Sequence, residues 1–319
     1  MRRWLDPQRF PGRRHLGAIA RDHRPTTGGG NYAGALAEEV RDRWAAAIGC
    51  DPDALVLCAS VAEAARLCCM ALLRPEDTAL LARPCAATWP AAVLGAGAAF
   101  VDVGRLADGV IDPAGARFAA EAHSGALWLL DAPTLTGASD CDALWPVLEA
   151  AHRADDRTTI VVDATAELTY VGAGDALASP CSATLLALRD PLAPQTPLLC
   201  AVRVGPEDFG GPAALLGPAR LPAPLLELAM AALGRAHIAD PTTMRAEAAA
   251  LREAVAAALA TAGDAHPGIS MLGGPGLQVA LRCDGGDGAA VARLLGRHGL
   301  CADAYGSGAM RDLVLVARP

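Results

Sequence analysis

The chain contains no lysine. All 27 of its strongly basic side chains are arginine, which excludes any chemistry that needs a lysine imine or the lysine of a phosphate-binding loop. A basic excess is missing as well. With 35 acidic residues the formal charge is -8, whereas a nucleic-acid binder needs a basic stripe to neutralise phosphates. The ten cysteines include no C-x-x-C pair, and the seven histidines include no H-E-x-x-H, so the familiar zinc spacings are absent and no metal site is expected. Several cysteines fall in apolar runs such as Leu67-Cys68-Cys69-Met70. They read as small buried hydrophobes in a reducing cytosol, not as a disulfide framework. No long apolar run is continuous: the 18 uncharged residues from Pro84 to Val101 are interrupted by Pro90, Gly95 and Gly97, which argues against a spanning helix. The stretch after Arg2-Arg3 is broken by Asp6, Pro7 and Arg9, so it does not read as a secretory signal. A soluble, cytoplasmic protein without nucleic-acid or membrane partners is expected.

What is present is apolar and rhythmic. Hydrophobic residues make up 53% of 319, enough for a sizeable core, and the length suits one large domain with a smaller companion. Residues 1–33 are rich in Arg, Pro and Gly and read as an N-terminal arm. A helix over 34–48 follows, with Leu36, Val40, Trp44 and Ile48 on one stripe. Short apolar strands near 54–59, 78–82, 98–102, 126–130, 158–163, 184–188 and 198–204 then alternate with helix-length segments. Ser60-Val61-Ala62-Glu63 has the capping-box pattern, and Asp112-Pro113 pairs an N-cap with proline at the first helical position. This alternation predicts a large α/β domain over 34–216 with a mainly parallel seven-stranded sheet covered on both faces. After Gly217 the pattern changes to helices near 222–237 and up to 262, a strand (277–282), a helix (287–298) and a strand (312–317). That predicts a small C-terminal α+β domain over 217–319. In such sheets ligands bind at the carboxyl ends of strands.

Several segments resemble one family in the right order. Ala59-Ser60-Val61-Ala62-Glu63-Ala64 follows a strand and opens a helix. Arg83-Pro84 leads to Thr88-Trp89-Pro90. Asp131-Ala132-Pro133-Thr134-Leu135-Thr136-Gly137 resembles Asn-Pro-x-Asn-Pro-Thr-Gly. Ile160-Val161-Val162-Asp163 is a strand ending in aspartate, and Ala309-Met310-Arg311-Asp312-Leu313 sets an arginine before the last strand. From about Tyr32 onward the chain is similar to the class I/II aminotransferases, the fold type I enzymes that use pyridoxal phosphate. The resemblance implies that Ser60 lies at the phosphate turn, that Trp89 stacks on the pyridine ring and that Asp163 pairs with the ring nitrogen. It also implies that Arg311 clamps a substrate carboxylate and that Tyr32 reaches the partner subunit of a dimer.

The departures from that family are equally specific. Its lysine should fall in Arg189-Asp190-Pro191-Leu192-Ala193-Pro194-Gln195, where nothing can form an imine. The phosphate arginine is replaced by Leu199, the turn glycine by Val61, the second asparagine by Thr134 and the tyrosine after the aspartate by Ala166. The expectation is a degenerate member without the Schiff-base lysine, with no covalent cofactor and at most weak, non-covalent pyridoxal or pyridoxamine phosphate on Ser60, Trp89 and Asp163. Two functions stay open. One is a lysine-independent enzyme acting on an amino-acid-like or small carboxylate metabolite in bacterial biosynthesis, with Asp163 and Asp131 as acid/base residues and Arg311, Trp89, Thr134 and Tyr32 holding substrate. The other is an inactive partner or regulatory subunit of an aminotransferase-like complex, as homodimer or heterodimer. Each residue also has a structural reading: Asp163 as turn acceptor, Trp89 as packing, Arg311 as a surface ion pair, and Asp131 and Thr134 as an ordinary turn.

Overall fold

In the computed structural model the described residues are 32–83, 85–86, 88–106, 109–123, 126–132, 134, 140–155, 158–167, 170–171, 181–204, 221–238, 242–261, 268–273, 277–284, 288–305 and 313–317. Residues 1–31 of the arm, the boundary at 216/217 and Arg311 lie outside them. The elements in chain order are α1 (Tyr32–Ile48), β1 (Leu55–Cys58), α2 (Val61–Leu72), β2 (Thr78–Leu81), α3 (Thr88–Gly95), β3 (Ala99–Asp102), α4 (Pro113–Ala122), β4 (Leu127–Asp131), α5 (Asp140–Ala154), β5 (Thr159–Asp163), β6 (Ala183–Asp190) and β7 (Ala193–Val204). They continue as α6 (Ala223–Ile238), α7 (Thr242–Thr261), β8 (Ile269–Gly273), β9 (Gln278–Cys283), α8 (Gly288–Arg297), β10 (Cys301–Tyr305) and β11 (Leu313–Ala317).

Strands β1 to β7 form one sheet in the order β1-β7-β6-β5-β4-β2-β3. From β6 through β5, β4 and β2 to β3 every pair is parallel, while β7 runs antiparallel to both β6 and β1. The seven-stranded, mainly parallel sheet expected from the apolar runs is therefore present. Its core has two sides because successive side chains on a strand point to opposite faces. Leu80, Trp128, Leu130, Ile160, Val162, Leu186 and Leu188 pack on one face. Ala79, Leu81, Leu127, Leu129, Val161 and Leu185 pack on the other, together with α2 and α3.

The second sheet, β10-β11-β9-β8, is antiparallel throughout and packs against α7 and α8 through Leu251, Val255, Val291 and Leu295. Two of its strands, β8 and β10, are not anticipated by the sequence pattern. Ile269–Gly273 has a single β-branched residue and ends on glycine, and Cys301–Tyr305 has no β-branched residue, so both lack the Val-rich run that marks β11. Pairing with β9 and β11 makes them strands.

The local signals hold. Ser60 Oγ accepts from Glu63 N at 3.2 Å and caps α2. Glu63 reaches back to Ala59 N at 2.7 Å, one residue beyond the cap itself. Asp112 caps α4 by accepting from Ala114 N at 3.0 Å, with Pro113 in the first turn. Within α4, a Cβ on Gly115 would stand 2.7 Å from the carbonyl oxygen of Val103. Gly to Ala inside a helix ordinarily gains up to about 1 kcal/mol. Gly115→Ala should instead destabilise by about 1–3 kcal/mol, because backbone must move to admit the methyl; urea unfolding of the variant checks the sign.

Candidate active site

Parallel pairing of β4 with β5 runs from Leu127↔Thr159 to Asp131↔Asp163, so both strands end on a carboxylate at the same level. The sheet core ends there and the loops begin. Asp163 is buried, at 6% exposure. Its Oδ1 accepts from Thr165 N at 3.0 Å and from Thr165 Oγ1 at 2.6 Å, and its Oδ2 accepts from the Trp89 indole N–H at 3.0 Å. Burial raises its proton affinity above the usual carboxylate range, while the Thr165 and Trp89 donors hold it down. An ionised carboxylate has about four acceptor positions. Three are filled by the described residues, which among them leaves one.

Asp131 is held differently. Arg105 Nη2 donates to its Oδ2 at 2.7 Å. The same guanidinium donates through Nη1 to Asp140 Oδ1 at 2.9 Å and Oδ2 at 3.1 Å and to Gly109 O at 2.8 Å, and through Nε to Ala82 O at 3.0 Å. Asp140, the first residue of α5, also accepts from Ile111 N at 3.1 Å and Asp131 N at 3.2 Å. Asp140 is completely buried, whereas the Asp131 side chain keeps 14% of its surface. Burial raises the proton affinity of Asp131 well above normal. Arg105 opposes this, and the charges of Asp140 and Asp163 add to it. Burial raises Asp140 too, again against Arg105.

The structure thus brings Asp163, Trp89 and Asp131 to one end of the sheet, with Thr134 fully buried just after β4. Ser60 stands at the corresponding end of β1, engaged in its helix cap. Tyr32 is not part of this cluster within the chain: it lies exposed on α1, its hydroxyl 2.9 Å from Glu227 Oε1 on α6. The segment expected to hold the family's lysine forms the end of β6, a tight turn and the start of β7. There Arg189 Nη2 donates to Thr165 O at 2.6 Å, while Asp190 pairs with Arg235 of α6, whose Nε lies 2.9 Å from Asp190 Oδ1. Leu199 is fully buried in β7. Three participants carry no signal in the sequence that singles them out: Arg105, Asp140 and Thr165. Arg105 follows β3 in a Gly-flanked turn, and nothing local distinguishes it from a surface arginine. Asp140 at a helix start signals a cap and not an ion pair.

No protein-family model matches the chain, and no curated protein matches it significantly. Solved structures do match along nearly all of it. A histidinol-phosphate aminotransferase from Sinorhizobium meliloti in complex with pyridoxal-5'-phosphate superposes with a TM-score of 0.67 at 16% identity, over 97% of this chain and 82% of that one. An N-succinyldiaminopimelate aminotransferase from Mycobacterium tuberculosis gives 0.66 at 16% identity, over 96% and 85%. The cystine C-S lyase C-DES, in complex with cysteine persulfide, gives 0.66 at 13% identity, over 98% and 90%. The chain has the fold type I aminotransferase fold.

These matches correct one expectation. The missing lysine suggested no covalent cofactor and only weak non-covalent pyridoxal or pyridoxamine phosphate. The matched fold instead includes a solved complex with pyridoxal-5'-phosphate, so the lysine count alone is not a ground for setting that group aside. The side chains fit it unevenly. Asp163 keeps one acceptor position beside a buried indole, which suits a ring N–H, and the α2 N-terminus suits an anion. The Glu63 carboxylate already occupies part of that terminus, and the 319 residues offer no lysine amine. Among the described residues no cluster of His, Cys, Asp and Glu is arranged to hold a metal ion, and no helix is long and apolar enough to cross a membrane.

Arg105→Met should cost about 3–5 kcal/mol at pH 7, because it leaves Asp140 and Asp131 buried without their cation. Both carboxyls bind protons more tightly folded than unfolded, so their burden on the fold grows as pH rises and vanishes below the unfolded value. The loss should therefore shrink on going from pH 7 to 4.5, as read from urea unfolding at both. A loss independent of pH would contradict the ion-pair account.

Proposed function

We propose that this chain is a lysine-independent enzyme on the aminotransferase fold, acting on an amino-acid-like or small carboxylate metabolite with pyridoxal phosphate at the carboxyl ends of β4 and β5. The observation that carries the reading is the register pair Asp131↔Asp163, two carboxyls with raised proton affinity in unlike surroundings. Environments that differ in this way can divide acid and base work between two carboxyls. Asp163, gripped by Thr165 and Trp89, is the fixed acceptor. Asp131, partly open and steered by Arg105, is the group able to take and return a substrate proton. Pyridoxal phosphate, when bound, supplies an electron sink for the bond being broken. Trp89 donates to Asp163 and Thr134 lies buried just after β4, and Thr88 Oγ1, next to Trp89, is buried without a partner among the described residues. Arg311 is assigned to the substrate carboxylate, and a homodimer is assigned so that Tyr32 can serve a second subunit.

A second reading has its own support. Glu63 and Ala59 close the α2 cap, and three of Asp163's acceptor positions are met by its own chain. Both suit a silent partner subunit of an aminotransferase-like complex. Exchange of the α-proton of amino acids in D2O, followed by NMR with pyridoxal phosphate and with or without the protein, separates the two. The enzyme reading expects at least one amino acid to exchange about tenfold faster than with the cofactor alone, and expects Asp131→Ala to remove that gain, since general acid–base groups contribute about 10²–10⁴. No acceleration with any proteinogenic amino acid would reject it in favour of the partner reading. The partner reading in turn requires a mixed dimer with a lysine-bearing aminotransferase in sedimentation.

A further inference from the structure

Cys58 and Cys200 face each other across the β1·β7 pair. Cys58↔Cys200 is the last rung of an antiparallel ladder that starts at Leu55↔Arg203. Directly opposed residues in such a ladder have Cα atoms about 4.5–5.5 Å apart and side chains on the same face. A disulfide spans Cα separations of about 4.4–6.8 Å. The two thiols are both free and lie in the same core cluster, on the face covered by α2. β1 is only four residues long and is the outermost strand of its sheet. A short edge strand opens locally at less cost than the centre of a sheet, which gives a small reagent a route to an otherwise buried pair.

We propose that Cys58 and Cys200 form a reversible dithiol–disulfide site that accepts oxidation from a low-molecular-weight disulfide or a diazene. Two S–H bonds break and one S–S bond forms. Two electrons and two protons pass to the oxidant, which becomes two small thiols or a hydrazine. The bond would tie the edge strand β1 to β7 immediately before the Ala59-Ser60 turn that opens α2. This site is independent of the catalytic reading above, since neither cysteine is assigned a part in that reaction.

The surroundings set the rate. Glu63, Arg66 and Cys68 face the pair from α2, Asp163 from β5 and Arg189 from β6. Burial pushes the Cys58 thiol far up and Cys200 up to about 12, with Glu63 adding to both and Arg66 and Arg189 opposing. Both sulfurs are thus protonated at neutral pH, and oxidation is slow, with a rate that follows the thiolate fraction.

The test uses the full chain in its reduced form, treated with diamide under native conditions. It is then denatured, alkylated with N-ethylmaleimide, digested without reductant and analysed by mass spectrometry. The expected result is the loss of two alkylatable thiols per chain and a cross-linked peptide joining Cys58 to Cys200, reversed by dithiothreitol. Its formation should accelerate close to tenfold from pH 7 to pH 8. Cys68→Ser should leave the cross-link intact, while Cys58→Ser and Cys200→Ala should each abolish it. Both thiols remaining alkylatable after excess diamide would overturn the proposal. So would a Cys58–Cys68 peptide in place of Cys58–Cys200. Cross-links through the exposed Cys301 appear as intermolecular peptides and are distinguished by the same map.

Discussion

The guanidinium of Arg105 is the contact on which the carboxyl end of the large sheet depends. It joins the carbonyl of Ala82 just beyond β2, the turn at Gly109, Asp131 at the end of β4 and Asp140 at the start of α5. A buried arginine is tolerable only when its donors and its charge are both met. Two carboxylates and two carbonyls do this, and in doing so they fix where β4 ends and where α5 begins. The β4·β5 register sets Asp131 beside Asp163, and the ion pair with Arg105 holds its carboxyl there.

Two different devices keep the two strand-end carboxyls in place. Asp163 is satisfied by neutral donors from a turn and an indole, and Asp131 by a cation. Unequal partners and unequal exposure put the two groups in different surroundings within one small volume. That inequality, more than the presence of aspartates as such, makes this end of the sheet a candidate for acid–base chemistry.

The fold and the chemistry are separable here. Structures of 13–16% identity share the architecture over almost the entire chain, because a sheet buried on both faces requires only hydrophobic residues along its strands. The side chains at strand ends answer to no such requirement. They can change without disturbing the core, which is how a chain with no lysine retains this architecture. Fold alone therefore says little about the reaction.

The local grammar of the chain is legible in its residues alone. The apolar runs 78–82, 126–130 and 158–163, the Ser60 cap and the Asp112-Pro113 start depend on residues close in sequence, and they correspond to β2, β4, β5, α2 and α4. Asp163 and Trp89 stand out because each ends or opens an element. Their mutual hydrogen bond, across 74 residues, does not. Arg105 with Asp140, Thr165 with Asp163 and Cys58 with Cys200 are equally hidden. Each pair is made by strand order, register or a loop folding back, and none of these leaves a periodic trace in the chain. The strands β8 and β10 are hidden for the same reason, since their pairing and not their propensity makes them strands. Sequence determined the elements of the large sheet and the absence of a lysine amine. Tertiary structure decided which charges meet, because an ion pair in a parallel sheet is set by which strands are neighbours.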